Sequence, residues 1–75
     1  MYRLSLRSAE HVRNYTIRAV ERSGWEVTCE EDRTLRRRDH YQDWHRVERA
    51  LALFEREVSA LTAAGWRVAS DDASR

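Results

Sequence analysis

Apolar positions follow two rhythms along the chain. In the C-terminal half, Trp44, Val47, Leu51, Phe54, Val58 and Leu61 recur at spacings of 3, 4, 3, 4 and 3. That spacing places all six on one stripe and predicts an amphipathic helix from about Asp43 to Ala64. Ala50, Leu53, Ala60 and Ala64 widen the stripe, and His45, Arg49, Glu55, Arg56, Ser59 and Thr62 lie mostly away from it. Asp43 suits the N-cap, where a carboxylate accepts from free backbone N–H groups; Asp39, with Gln42 three residues on, is a rival start. At the far end Gly65 fits the left-handed C′ position, with Trp66 folding back onto Leu61.

The N-terminal half alternates with period two, the mark of strands with one buried face. Tyr2, Leu4 and Leu6 form one such set, Tyr15, Ile17 and Ala19 a second, and Trp25, Val27 and Cys29 a third. A loop of Arg22-Ser23-Gly24 would join the last two as a hairpin, with Ala19 facing Val27 and Ile17 facing Cys29, both apolar sets on one side. Thr34 to Tyr41 reads as a fourth strand after an Asp32-Arg33 turn. Its Arg36-Arg37-Arg38 run is the kind of charge that protects a sheet edge. The expected fold is α+β: a small antiparallel sheet of three to four strands, in the order ββββα, packed on one long C-terminal helix. Residues 1–69 form the domain and 70–75 a polar tail. An alternative reads residues 9–23 as a helix capped by Ser8. Gly-Trp-Glu-Val at 24–27 recurs as Gly-Trp-Arg-Val at 65–68, and each would then open a strand, giving a βαββαβ, ferredoxin-like chain.

Seventy-five residues make one domain with a modest core. A single cysteine, Cys29, rules out an intrachain disulfide. The longest apolar run, Ala50 to Phe54, is too short to span a membrane, and Met1 to Arg7 lacks the apolar run of a signal peptide. The expected location is the cytoplasm.

All 14 basic residues are arginine, yet the net charge is only +1, so no uniform field draws in nucleic acid. The charge is segmented instead. Residues 26–32 hold Glu26, Glu30, Glu31 and Asp32 without a base, while residues 33–49 hold Arg33, Arg36, Arg37, Arg38, Arg46 and Arg49 against Asp39, Asp43 and Glu48. If helix and edge strand are neighbours, these arginines form a surface for phosphates or carboxylates, which a guanidinium grips with two parallel hydrogen bonds. Tyr41 and His40 stand beside them as stacking partners for bases.

Catalytic signals are weak. Cys29 falls in step with Trp25 and Val27, which marks a core thiol, and the spacing of His40 and His45 gives it neither a base nor a zinc site. The two glycines cannot form a phosphate-cradling loop. No enzyme activity, cofactor or metal is therefore expected. The Ala50, Ala60 and Ala64 flank of the helix is a possible homodimer seam.

Strands followed by a long helix and a closing Gly-aromatic pair resemble the WGR domain. The matching positions are Tyr41 leading into the helix, Ala50 early in it, Phe54 later, and Gly65-Trp66. The Trp-Gly-Arg signature itself is absent; its place, around Glu31-Asp32-Arg33, holds only the arginine. The resemblance implies a nucleic-acid-binding module with the arginines as its contact set. The leading expectation is a small non-enzymatic binding module for an anionic partner, nucleic acid or an acidic protein, with nucleic acid first. The alternative is a protein-interaction or homodimerisation module acting through the helix flank or a free strand edge.

Overall fold

The computed structural model describes residues 2–21 and 23–71. Its elements are β1 (Tyr2–Ser8), β2 (His11–Ala19), β3 (Trp25–Glu31), β4 (Thr34–Tyr41), α1 (Trp44–Ala63) and β5 (Arg67–Asp71). The strands form one antiparallel sheet in the order β4-β3-β2-β1-β5, with α1 laid across one face. Residues 11–19 are strand, which settles the choice between the two sequence readings in favour of ββββα. Alternation explains the outcome: Tyr15 and Ile17 point inward beside Leu4, Leu6, Val27 and Cys29, and all six are buried.

A strand added after the helix is the main departure from expectation. β5 pairs with β1, placing Leu6 opposite Val68 and Arg7 opposite Arg67. Residues 70 and 71, expected in the tail, belong to this strand; the rest of that tail, 72–75, lies outside the described residues. The repeated Gly-Trp-x-Val thus opens a strand both times, with an intervening helix only before the second.

The β2–β3 hairpin is shifted by two residues from the predicted register. Ala19 faces Trp25, Ile17 faces Val27 and Tyr15 faces Cys29. The even shift keeps both apolar sets on the same face. The loop spans 20–24 and is closed by the Val20 N–H donating to the Gly24 carbonyl at 3.1 Å. Gly24 has φ +95°, and a Cβ there would stand 2.6 Å from the Tyr41 carbonyl oxygen. The glycine therefore serves a close approach to the end of β4 as well as the turn itself.

The helix begins and ends as predicted. The Asp43 side chain accepts from the His45 N–H at 2.9 Å. At the C-terminus the Trp66 N–H donates to the Leu61 carbonyl at 2.9 Å and the Gly65 N–H to Thr62 at 3.1 Å, with Gly65 at φ +110°. These are the two bonds of a Schellman motif. Within the helix Val47 and Phe54 are fully buried, while Ala50, Leu51, Val58 and Leu61 pack around them. Phe54 stacks tilted on Tyr15, with ring centroids 4.7 Å apart. Trp44, expected in the buried stripe, is 45% exposed and covers Trp25 at 5.1 Å between centroids. It sits in the first helical turn, beyond the sheet's covered centre. Leu53 is 49% exposed. No helix among the described residues is long and apolar enough to cross a membrane.

Candidate functional site

The position of β4 decides where the arginine run points. Cys29 faces Arg37 and Glu30 faces Leu35, so Arg36 is an extra residue in a β-bulge. A bulge breaks strict alternation and re-aims the side chains beside it. Arg36 and Arg37 consequently reach the same cavity on the α1 side. Arg38 takes the opposite face, 3.7 Å from Glu26. Arg33 sits in the β3–β4 turn at φ +70°. The six arginines singled out from sequence are thus dispersed: Arg36, Arg37, Arg46 and Arg49 share the seam between β4 and α1, and Arg33 and Arg38 do not.

Two concavities run along that seam. The first, of about 370 Å³, is lined by Arg37, Arg46 and Arg49, with Asp39 among them and Val27, Tyr41, Ala50 and Leu53 as an apolar floor. One turn of helix separates Arg46 from Arg49, so the two guanidiniums leave the helix on neighbouring paths. Among the described residues neither has a carboxylate within ion-pair distance: Asp43 caps the helix, Glu48 lies 3.5 Å from His45, and Asp39, although it lines the same groove, stays beyond that distance. The second concavity, of about 220 Å³, is lined by Arg13, Arg36, Arg37, Glu57 and Cys29.

Arg13 is the residue that sequence reasoning missed. It lies on the inward side of β2, in step with Tyr15 and Ile17, and that phase was the available signal. Its Nη2 donates to Glu31 Oε1 at 2.6 Å and its Nη1 to the Tyr15 hydroxyl at 3.4 Å, while its Cζ lies over the Trp66 ring, 5.7 Å from the centroid. Its buried Nε–H has no acceptor among the described residues. Arg36 adds a second bond to Glu31 Oε1 at 3.2 Å. The hydrogen bond from Arg13 holds the Glu31 carboxyl below the ordinary carboxylate range. Across the cavity Arg37 stands 3.8 Å from Glu57, a long contact. Three guanidiniums against two carboxylates leave the cavity with an excess of positive charge.

Cys29 forms the cavity floor as a buried thiol, and burial raises its pKa. That environment suppresses the thiolate a nucleophile requires. His40 and His45 are spent elsewhere: His40 Nε2 lies 3.3 Å from the Ser23 carbonyl and His45 faces Glu48. Ligand atoms of His11, Glu31 and Asp32 gather within 4.8 Å of one another. The Arg13 and Arg36 guanidiniums on Glu31, together with the His11–Asp32 contact of 2.7 Å, already satisfy that cluster and oppose a cation.

The sheet face away from α1 is polar. Ser5 bonds Asn14, and Glu26 accepts from Arg18 Nε and Nη2 at 3.1 and 2.8 Å. The hydrogen bond from Arg18 lowers the Glu26 pKa. Of the positions matched to the WGR pattern, Tyr41 ends β4, Phe54 is buried and Gly65-Trp66 closes the helix. No family model, curated protein or solved structure matches the chain.

Proposed function

We propose that this chain is a non-enzymatic binding module whose β4–α1 seam receives an anionic partner. One observation carries the reading: Arg37, Arg46 and Arg49 converge on a groove with an apolar floor, and Arg46 and Arg49 have no carboxylate in ion-pair contact among the described residues. Guanidiniums left uncompensated beside apolar surface favour phosphate or carboxylate groups over water. Nucleic acid enters the test first, since Tyr41, half-buried in the groove lining, offers a ring for stacking. The resemblance to WGR domains points the same way.

The experiment is titration with duplex and single-stranded oligonucleotides at two salt concentrations. Three arginine–phosphate contacts predict a slope of log K against log salt of about −2 for a single strand. Arg46→Gln with Arg49→Gln should flatten that slope and weaken binding, whereas Arg3→Gln on the other face should change little. Absence of binding at low salt, or binding indifferent to salt, rejects nucleic acid as the partner.

A second reading, a protein-interaction module, is favoured by the sheet order. β4 is an end strand, hydrogen-bonded to β3 alone, so its outer edge is open among the described residues.

A further inference from the structure

Along the outer side of β4, alternate N–H and C=O groups point away from β3, and no described strand receives them. Beyond the Arg36 bulge the regular part of this edge, Arg37 to Tyr41, is a template for another strand. The chain's own β4 is a poor occupant. In a two-fold antiparallel pairing centred on Arg36-Arg37-Arg38, guanidinium would meet guanidinium, and like charges directly opposite destabilise a ladder. The same charges favour an acidic strand.

We infer that β4 accepts an extended acidic peptide segment as a sixth, antiparallel strand, with one carboxylate on Arg37 at the seam and the next on Arg38 at the opposite face. The inference rests on reading the β4–α1 seam as an anion-binding surface. Cross-strand neighbours share a face. A residue opposite Arg37 therefore projects toward α1, between the groove of Arg46 and Arg49 and the cavity of Arg13 and Arg36. Its neighbour, opposite Arg38, projects to the other face. Two adjacent acidic residues engage both arginines at once, and each now holds only a long contact, 3.8 Å to Glu57 and 3.7 Å to Glu26. The residue opposite Asp39 lies over Val27, Ala50 and Leu53, where a carboxylate is repelled and an apolar side chain is favoured. Read in the partner's direction, the recognised pattern is apolar–acidic–acidic.

Charge spacing separates this partner from nucleic acid. Asp39 and Glu57 line the seam with the arginines. A backbone with a phosphate on every nucleotide must pass both acids. A peptide carries carboxylates only where arginines wait, and it also uses the β4 backbone.

The test titrates three probes into the isotope-labelled full chain at low salt. These are the blocked octapeptide Thr-Thr-Val-Glu-Glu-Val-Thr-Thr, the same peptide N-methylated at alternate residues, and a short single-stranded oligonucleotide. N-methylation removes ladder donors and leaves charge intact. The octapeptide should shift amide signals along Thr34–Tyr41 and slow exchange of the outward β4 amides. N-methylation should weaken binding roughly tenfold or more, and Arg37→Gln in the protein should weaken it as well. Equal binding of both peptides, or binding of the oligonucleotide alone, overturns strand addition and leaves the anion-binding seam standing. No binding of any probe removes both.

Discussion

The phenol of Tyr15, at the centre of the sheet, donates a 3.0 Å hydrogen bond to Oε1 of Glu57 on α1. This bond ties the buried strand to the one carboxylate that α1 presents to the Arg13, Arg36 and Arg37 cavity. Burial is the main cause of a Tyr15 pKa pushed up to about 12. A pKa raised on folding contributes stability that is intact below the unfolded value of 10.0 and lost as pH climbs through the folded one. Denaturation midpoints should therefore fall between pH 10 and 12. In Tyr15→Phe, where the phenol is gone, that part of the fall should vanish, at a cost near neutral pH of about 1 kcal/mol for the lost bond.

Phe54 is fully buried and stacks on Tyr15, whereas Leu53, one residue away, is half exposed. Phe54→Ala removes a ring from a packed core and should cost about 3–5 kcal/mol. That is comparable with the whole stability of a domain this small, so the variant should be largely unfolded by circular dichroism. Leu53→Ala should shift the urea midpoint far less, by under about 1 kcal/mol. Similar losses in the two variants would mean that the helix presents a different side to the sheet.

The two glycines provide a paired comparison. Both have φ in the left-handed region, +95° at Gly24 and +110° at Gly65. A Cβ at Gly24 would meet the Tyr41 carbonyl oxygen at 2.6 Å, while one at Gly65 meets nothing within 4 Å. Gly65→Ala should pay only for backbone strain, about 1–3 kcal/mol. Gly24→Ala should lose clearly more, because the hairpin loop and the end of β4 must separate. Equal midpoints in thermal unfolding would contradict the close approach.

His11 Nδ1 lies 2.7 Å from Asp32 Oδ2, joining the start of β2 to the β3–β4 turn. Asp32 also accepts from the Val12 N–H at 2.8 Å. The hydrogen bond to Asp32 raises the His11 pKa above 6.5, and the hydrogen bond from His11 holds Asp32 below 3.8. The signs are opposite. The His11 contribution is complete below pH 6.5 and fades as pH rises through its raised value; the Asp32 contribution is complete above 3.8 and fades on acidification. The pair thus supports the fold best in mildly acid solution. His11→Gln should flatten the decline in stability above pH 6.5, and proton-detected titration of the His11 ring should give a midpoint above that value. A midpoint at or below it would exclude the contact.

The sequence alone determined the elements whose signals are local. The 3-4 spacing from Val47 to Leu61, the Asp43 cap and the Gly65-Trp66 closure specified α1, because its hydrogen bonds and caps lie within the segment itself. Period-two alternation specified which sides of β1, β2 and β3 turn inward, and the shift of the hairpin by two residues left that assignment untouched. Tertiary structure decided what depends on neighbours distant in the chain. β5 was signalled only by the Gly-Trp-x-Val repeat, in the alternative reading, and it exists because β1 offers an edge. The bulge at Arg36 depends on how β4 meets β3, and it sends Arg36 and Arg37 one way and Arg38 the other. The seam was legible only in outline, as arginines near one another in sequence. Its actual membership, with Arg13 and Glu57 added and Arg33 and Arg38 placed elsewhere, follows from strand order and helix placement. Side-chain direction in a sheet is inherited from pairing, and pairing is a property of the folded molecule.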